Sequence, residues 1–258
     1  MKLEKGVEGY MRFYKRNDVY TDEEKLDESK EIYKFMGFDR LVEMLKYNKM
    51  YLRNVIKWDD TWEYPARYFA RNEDELNNLQ VDIYGSCWCT TEYTDALWRI
   101  YSQDKKSACI KTTVKKLKDA IKHQKHDSYF FLDKVVYVSD EEEAMELVKS
   151  ISLMRLFGQH TVVDGIDITK ILLSTIKRKA FEHEKEVRLL VQNASPTDKL
   201  EDGIFIDIDY SELISEVILD PRVDERYISE KKSILANDYN IKCRRSDLYD
   251  TTRRFKLK

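Results

Sequence analysis

The chain has 258 residues, of which 42% are hydrophobic and 36% are charged, and its formal net charge is only −3. That length can bury a substantial core, and the near balance of charge argues against a protein whose net field attracts nucleic acid or an anionic membrane. No apolar run approaches the roughly 18 residues of a membrane span, and the N-terminus has no secretory signal. We therefore expect a soluble, cytoplasmic protein without a membrane partner.

In chain order, the pattern of apolar and turn-forming residues predicts a mixture of helices and strands. The predicted elements are helices Thr21–Phe35 and Phe38–Lys46, strands Lys49–Ile56, Val81–Thr90 and Ser107–Thr112, helix Thr113–His123, strand Phe130–Val138, a helix capped by Ser139 that runs through Leu156, helix Ile168–Phe181, strands Glu186–Gln192, Ile204–Ile208 and Leu213–Leu219, helix Asp224–Asn237 and strand Asn240–Arg244. Because they do not alternate regularly, we predict an α+β fold with a mixed or antiparallel central sheet and packed helices.

No linker rich in proline, glycine or serine interrupts the chain, and no repeat is visible. Residues 1–258 are therefore predicted to form a single domain, with a flexible basic tail at 251–258. The four cysteines, at 87, 89, 109 and 243, lack C-x-x-C spacing and indicate free thiols in a reducing compartment.

The segment Phe181–Val191, FEHEKEVRLLV, carries the densest group of charges on an otherwise apolar strand. If the strand begins near Lys185, side chains two residues apart share a face, which brings Glu184, Glu186 and Arg188 together. Two carboxylates beside a guanidinium could form a catalytic site, because such neighbours shift each other's pKa values. A structural ion pair or a solvated strand face gives the same pattern.

The segment Tyr84–Tyr101, YGSCWCTTEYTDALWRIY, ends a predicted strand with small polar residues, among them Ser86 and Thr90. Trp98 and Tyr101 follow with a spacing that places them on one helical face. Small polar groups beneath an aromatic wall suit a planar heteroaromatic ligand. Alternatively, the two aromatic residues pack the helix onto the sheet.

The loop WDDTWE places Trp58, Asp59 and Asp60 beside each other, where they could line the rim of a pocket, bind a cation weakly or cap a helix. His123 and His126 are three residues apart, but no cysteine or carboxylate set completes a zinc site, so we predict no metal. The chain also lacks the glycine-rich phosphate loops and the nucleophile elbow that mark common nucleotide-binding and hydrolytic folds.

Several segments, in order, together resemble the bacterial family called domain of unknown function 2971. They are RFYKR (Arg12–Arg16), LKYNKMYLRNVIKWDDTWE (Leu45–Glu63), CWCTTEYTDALWRIYS (Cys87–Ser102), FEHEKEVRLL (Phe181–Leu190), EVILDPRV (Glu216–Val223) and IKCRRSDL (Ile241–Leu248). The resemblance spans nearly the whole chain and implies little settled biochemistry.

The chain has a more distant likeness to ADP-ribosyltransferases. In that group an early strand supplies a polar or basic residue, a middle strand supplies small hydroxyl residues, and a later strand opens with E-x-E. Corresponding residues occur here in the same order: Tyr14, Lys15 or Arg16, then Ser86 to Thr90, then Glu184 and Glu186. The likeness implies NAD as the substrate, with a glutamate stabilising the oxocarbenium-like centre that forms when nicotinamide leaves.

The leading hypothesis is an NAD- or nucleotide-using transferase, acting as a bacterial anti-phage defence or toxin effector. Either Glu186 or Glu184 is the catalytic carboxylate, and Arg188 orients it or holds a phosphate. The residues expected to contact the nucleotide are Tyr14, Arg16, Trp58, Asp59, Asp60, Ser86, Thr90, Trp98 and Tyr101. The acceptor would be a protein or a nucleic acid. The alternative is a binding module that recognises a nucleotide or nucleic acid without catalysis.

Overall fold

A computed structural model describes residues 13–16, 19–22, 26–63, 82–92, 94–121, 128–156, 162–163, 166–167, 169–193 and 201–250. The strands are β1 Phe13–Arg16, β2 Val19–Asp22, β3 Glu31–Gly37, β4 Lys49–Asn54, β5 Ile83–Cys89, β6 Ser107–Thr113, β7 Ser128–Lys134, β8 Val136–Val138, β9 Val162–Val163, β10 Ile166–Asp167, β11 Ile176–Arg178, β12 Glu186–Asn193, β13 Gly203–Asp207, β14 Glu216–Leu219 and β15 Cys243–Arg245.

The α-helices are α1 Phe38–Tyr47, α2 Asp95–Tyr101, α3 Val114–Ile121, α4 Glu141–Leu156, α5 Thr169–Leu173, α6 Tyr210–Leu213 and α7 Glu225–Tyr239. Short 3₁₀ helices occupy Val55–Lys57, Thr61–Glu63 and Lys179–Glu184. Parallel and antiparallel strand pairs occur together, and helices are interspersed without a βαβ repeat, which confirms the α+β prediction. Among the helices described here, none combines the length and the apolar character needed to cross a membrane.

The chain divides into two compact units, each built from three stretches. The first unit comprises Met1–Glu28, Tyr51–Cys87 and Lys122–Ile206, and the second comprises Ser29–Met50, Trp88–Ile121 and Asp207–Lys258. The prediction of a single domain, with a flexible tail, stays a prediction. The tail at 251–258 lies outside the described residues.

In the first unit, strands follow the order β1-β2-β7-β12-β5. β12 runs antiparallel to β7 over a long register, from Val187 opposite Lys134 to Asn193 opposite Ser128, whereas β2 runs parallel to β7. The inner faces contribute Phe131 and Leu190 to a core that also contains residues of α5. This long β7–β12 pairing fixes the position of every side chain near the start of β12.

In the second unit, strands follow the order β3-β6-β14-β15. β3 pairs with β6 antiparallel along its whole length, and β14 pairs with β6 antiparallel and with β15 parallel. Tyr33, Trp98, Cys109 and Ile218 form a buried cluster in this unit.

The predicted helix Thr21–Phe35 is wrong. Its described residues lie in β2 and β3, which are separated by a turn, while residues 23–25 are outside the described part. β3 forms seven residue pairs with β6, and this pairing overrides a weak helical preference. The prediction for Phe38–Lys46 is confirmed by α1, whose buried face carries Leu41, Met44 and Leu45.

The predicted helix Ile168–Phe181 is also wrong beyond its first turns. The hydroxyls of Ser174 and Thr175 donate to the carbonyls of Lys170 and Leu172 at 2.8 and 2.7 Å, and the helix ends at Leu173. β11 then pairs with β8 in parallel. This correction matters because β11 contains Lys177.

Three smaller boundaries differ from the prediction. The predicted strand Phe130–Val138 is divided into β7 and β8 at Val135, whose N–H donates to the carbonyl of Glu186. The predicted strand Leu213–Leu219 begins only at Glu216, since Asp209 caps the short helix α6. Asp140, and not Ser139, accepts the capping hydrogen bond at the start of α4.

Candidate functional site

Five buried charged side chains meet in the first unit, and we call them the charged cluster: Glu63, Lys177, Glu184, Glu186 and Arg188. Each one comes from an element whose end or register fixes it. Glu63 ends a 3₁₀ turn and Glu184 ends another, Lys177 is the middle residue of β11, and the remaining two lie at the start of β12.

Arg188 is the central cation of the charged cluster, and its side chain is 0% exposed. Its Nε lies 2.8 Å from Oε1 of Glu186, and its Nη2 lies 3.2 Å from Oε2 of the same carboxylate, which is a two-point contact. Nη2 also lies 2.7 Å from Oε2 of Glu63, and Nη1 donates to the carbonyl of Ser174. The guanidinium is therefore bound along its whole outline.

Trp58 covers the guanidinium, with the centroid of its ring 4.4 Å from the Arg188 Cζ. This stacking depends on Gly85 in β5, where a Cβ would lie 2.6 Å from the Trp58 ring. A glycine at this position is therefore what lets the indole approach the sheet.

Lys177 is the second cation, and its Nζ contacts three carboxylates. The distances are 2.9 Å to Oε2 of Glu184, 2.9 Å to Oε2 of Glu186 and 3.2 Å to Oε1 of Glu63. Because an ammonium has three N–H donors, these contacts use its full donor capacity.

The two glutamates of the E-x-E motif differ in how their oxygens are used. Both oxygens of Glu186 contact cations, Oε1 with Arg188 and Oε2 with Arg188 and Lys177. Glu184 binds Lys177 through Oε2, and its Oε1 has no hydrogen-bond partner among the described residues. Between them Lys185 adopts a left-handed conformation with φ of 45°, so Glu184 precedes the strand and is not part of it.

The pKa values in the charged cluster diverge. Burial raises the pKa of Glu186, but the charge and hydrogen bonds of Arg188 and the charge of Lys177 outweigh it, and the pKa falls from 4.5 to about 2. Burial raises the pKa of Glu63 above its ordinary value despite the same two cations. Burial lowers the pKa of Lys177, yet the charges of Glu186 and Glu63 raise it well above its ordinary value.

An aromatic group lies beside the charged cluster, and we call it the Arg178 patch. The Cζ of Arg178 lies 5.8 Å from the ring centroid of Trp62 and 5.3 Å from that of Phe181. Its guanidinium forms an ion pair with Asp60 at 3.0 Å, and its side chain is 43% exposed. Lys177 Nζ lies 5.0 Å from the Phe181 ring, which joins the patch to the cluster.

The first unit therefore brings together Glu184, Glu186 and Arg188 with Trp58, while Asp60 belongs to the Arg178 patch. Asp59 is on the surface, with its side chain 96% exposed and 3.6 Å from Arg53.

Ser86 is buried in β5, and its hydroxyl has no partner among the described residues. Tyr14 and Arg16 lie in β1, but their side chains are outside the described part of the structure.

Thr90, Trp98 and Tyr101 belong to the second unit. Trp98 is fully buried, and its ring meets that of Phe35 edge-on with the centroids 4.9 Å apart. These contacts are those of a residue that packs its helix onto the sheet, the alternative to a ligand-binding role. The ring of Tyr101 stacks on that of Phe35 with the centroids 5.7 Å apart, and Tyr101 is 40% exposed. A ligand role for these residues stays a prediction.

Sequence reasoning missed Lys177, Glu63 and Arg178. Lys177 and Arg178 were hidden inside the predicted helix Ile168–Phe181, although the hydroxyl pair Ser174-Thr175 ahead of them is a signal for a helix end. Glu63 was visible only as the acid that ends the loop WDDTWE, directly after Trp62. Its partner Arg188 is 125 positions away, a distance that a single sequence does not bridge.

Among the described residues, no group of three or more histidine, cysteine, aspartate or glutamate side chains is arranged to hold a metal ion. His123 and His126 lie outside those residues. The carboxylates of the charged cluster are already bound to cationic side chains, which leaves Oε1 of Glu184 as an acceptor for a ligand hydroxyl.

Residues 97–189 match the family model described as "Protein of unknown function (DUF2971)". This stretch includes Lys177, Glu184, Glu186 and Arg188, and it ends before Glu216–Val223. The match supports the likeness to this family over that stretch, while the likeness to ADP-ribosyltransferases stays a prediction. No curated protein matches the chain.

Proposed function

We propose that the chain is an NAD- or nucleotide-using transferase of the ADP-ribosyltransferase type, with Glu184 as the carboxylate that contacts the substrate. One observation carries this proposal: Oε1 of Glu184 has no partner among the described residues, whereas both oxygens of Glu186 are bound by cations. A substrate-facing carboxylate must have a free acceptor oxygen at a fixed position, and Lys177 fixes Glu184 through its other oxygen.

The chemistry is a substitution at the anomeric carbon of the nicotinamide ribose. The bond from that carbon to the nicotinamide nitrogen breaks, and the electron pair leaves with nicotinamide. Glu184 accepts a hydrogen bond from a ribose hydroxyl, and its negative charge stabilises the positive charge that grows on the ring. An acceptor nucleophile then forms the new bond to the anomeric carbon and releases its proton to solvent.

The Arg178 patch supplies the features needed to hold the rest of such a substrate. A guanidinium can bind two oxygens of a pyrophosphate, and 43% of the Arg178 side chain is exposed. The ring centroids of Trp62 and Phe181 lie 5.8 and 5.3 Å from the Cζ of the same guanidinium, so a planar ring of the substrate could stack on one of them beside it. In this proposal Asp60 is the counterion that a substrate phosphate displaces.

Glu186, Arg188 and Glu63 are positioning residues here and do not touch the substrate. The carboxylates of Glu63 and Glu186 contact both Lys177 and Arg188 and so keep the two cations paired in the interior, and Lys177 in turn holds Glu184. We further propose a cytoplasmic location, where free thiols such as Cys87 and Cys89 persist. A defence or toxin role would require an acceptor in the target cell.

The test is nicotinamide release from NAD by the purified protein, alone and with cell lysate, compared between Glu184→Gln and wild type. We expect the substitution to lower the rate by at least about 100-fold, because it removes the negative charge at the reacting centre. Glu184→Gln is more informative than Glu186→Gln, since Glu186 is bound by two cations and its loss would affect folding as well.

Glu182→Gln is the matched control. Glu182 is exposed on the same 3₁₀ turn, two positions from Glu184, and should retain the full rate. Melting temperatures of the three proteins must agree within error for the rates to be compared. Absence of nicotinamide release by the wild type, both alone and with lysate, would overturn the proposal, as would equal rates for Glu184→Gln and wild type.

A second candidate function is a nucleotide-binding module without turnover. The saturation of Glu186 by cations favours it, because this motif residue is then structural. Binding would rest on Arg178 and its two aromatic neighbours. This candidate predicts that NAD or another nucleotide raises the melting temperature, that Arg178→Ala abolishes the shift, and that Glu184→Gln changes it little.

A further inference from the structure

A polar cavity lies in the second unit, beside β15 and the residues that follow it. Its volume is about 610 Å³, within the roughly 300–1,000 Å³ typical of small-molecule sites. The segment IKCRRSDL, which the proposed function above does not use, supplies much of its wall. The lining residues used below are Lys232, Arg244, Arg245, Ser246, Asp247, Tyr249 and Asp250.

Three cationic side chains converge on this cavity. Lys232 comes from α7 and has no ion-pair partner among the described residues. Among the described residues, the guanidinium of Arg245 forms an ion pair with the solvent-exposed Glu225 alone, at 2.9 Å through Nη1, so most of its donors stay available. Arg244 is held by Glu92 and Glu216 and forms the fixed inner wall. Two available cations at one cavity favour an anionic group with several acceptor oxygens.

Ser246 adds a buried hydroxyl to the same wall. The residue is 4% exposed, and its Oγ has no hydrogen-bond partner among the described residues, although its N–H donates to the carbonyl of Leu219. A buried hydroxyl without a partner is destabilising. Because this Oγ is shielded in the structure, a change of the Ser246 rotamer would turn it toward the cavity, where a phosphate oxygen or an ordered water would accept its hydrogen bond.

The remaining lining residues do not suit a bare anion. Tyr249 presents an exposed aromatic ring whose hydroxyl is held by Asp95. Asp247 and Asp250 add carboxylates linked by a turn, in which the N–H of Asp250 donates to the carbonyl of Asp247. Cations for a phosphate, a ring for stacking and carboxylates for hydroxyl or amino donors occur together in sites for nucleotides.

We infer that this cavity binds a nucleoside monophosphate, with Lys232, Arg245 and Ser246 on the phosphate and Tyr249 against the base. The carboxylates of Asp247 and Asp250 accept hydrogen bonds from ribose hydroxyls. This site is additional to the proposed transferase centre and does not depend on it, since every group it uses belongs to the second unit.

The experiment is calorimetric titration of the full chain with adenosine 5′-monophosphate, inorganic phosphate and adenosine. We expect the monophosphate to bind more tightly than either fragment. The pair of substitutions Lys232→Ala and Arg245→Ala should lower its affinity at least about tenfold, because two charge-assisted contacts are removed. Tyr249→Leu should weaken the monophosphate and leave the affinity for inorganic phosphate unchanged.

Lys242→Ala is the matched control for charge, since Lys242 is exposed two positions from Arg244 and does not line this cavity. It should retain the wild-type affinity. The inference is overturned if the monophosphate does not bind, or if the Lys232/Arg245 double variant binds it as tightly as wild type does. It is also overturned if Lys242→Ala weakens binding equally, because the effect is then one of net charge.

Discussion

The two units each bury glutamate beside arginine, but they do so in different ways. In the first unit, three carboxylates share two cations and all five side chains are buried. In the second unit, Arg244 joins Glu92 at 2.8 Å and Glu216 at 3.0 Å, and 30% of its side chain is exposed.

The difference lies in how each arrangement handles surplus negative charge. Water reaches Arg244, and burial raises the pKa of Glu92 more than Arg244 lowers it. In the charged cluster, Arg188 and Lys177 hold the pKa of Glu186 low, whereas burial raises the pKa of Glu63. In both places carboxylates outnumber cations, and one carboxylate oxygen has no hydrogen-bond partner among the described residues: Oε1 of Glu184 in the charged cluster and Oε2 of Glu92 beside Arg244. The difference is that Arg244 is partly exposed, whereas both cations of the charged cluster are buried.

The largest loss of stability is expected for Arg188→Leu in the charged cluster. Removing the central cation leaves Glu186 and Glu63 buried without their main partner, and this should lower the free energy of unfolding by about 3–5 kcal/mol. Urea unfolding at pH 7 measures it. Arg53→Leu is the control, because its contact with Asp59 is exposed and its removal should change stability by less than about 1 kcal/mol. Similar losses of unfolding free energy in Arg188→Leu and Arg53→Leu would contradict a stabilising role for Arg188 beyond that of an exposed ion pair.

A smaller effect should appear in the pH dependence of Glu186→Gln. The pKa of Glu186 is lower in the folded chain, about 2, than its ordinary value of 4.5. Its stabilising contribution is therefore complete above pH 4.5 and is lost as the pH falls toward 2. We expect the free energy of unfolding of the wild type to exceed that of Glu186→Gln by about 3 kcal/mol at pH 6, and we expect this difference to become smaller as the pH falls.

Urea unfolding of both proteins at half-unit steps from pH 6 to pH 3 measures this difference in the free energy of unfolding. Glu182→Gln, an exposed neutralisation on the preceding turn, should show no such narrowing. If the gap between wild type and Glu186→Gln is constant over this range, Glu186 is not held ionised by Arg188.

The smallest effect is expected for Arg244→Leu. The side chain of Arg244 is 30% exposed, and its removal takes away the hydrogen bond and the charge that lower the pKa of Glu92, so burial should raise that pKa further. We expect the free energy of unfolding to fall by about 1–2 kcal/mol at pH 7. Because a raised pKa means that the neutral form is favoured in the folded chain, the loss should shrink as the pH falls from 7 to 5. Chemical unfolding at these two pH values, with Arg245→Leu as the exposed control, measures it. A loss that grows on acidification would contradict this account.

Local patterns predicted part of this molecule well. The i, i+3, i+4 spacing of Leu41, Met44 and Leu45 is a property of α1 alone, and the prediction was confirmed. The strand character of β3 depends on its pairing with β6, whose residues are 70 to 82 positions away from their partners, and the local sequence pattern therefore gave the wrong element.

In the candidate site, too, the sequence predicted the residues whose proximity follows from local spacing and missed those whose position depends on distant parts of the chain. The proximity of Glu186 and Arg188 follows from their spacing of two on one strand, so sequence reasoning found them. Glu184 was expected on the same strand face, but Lys185 turns the chain, and it is Lys177 that brings Glu184 to the cluster. Lys177 lies in β11, which the sequence analysis assigned to a helix, and this is why the cation that contacts all three carboxylates was missed.

The separation of Glu63 from Arg188 by 125 positions has a consequence for how the first unit folds. The contact needs closure of a long loop, whose entropy must be lost before the ion pair forms. Until then the two side chains are hydrated and the apolar strand that carries Arg188 has a charged face. We therefore expect burial of this cluster to be a late folding event, with β12 collapsing only when Glu63 and Lys177 reach Arg188 and Glu186.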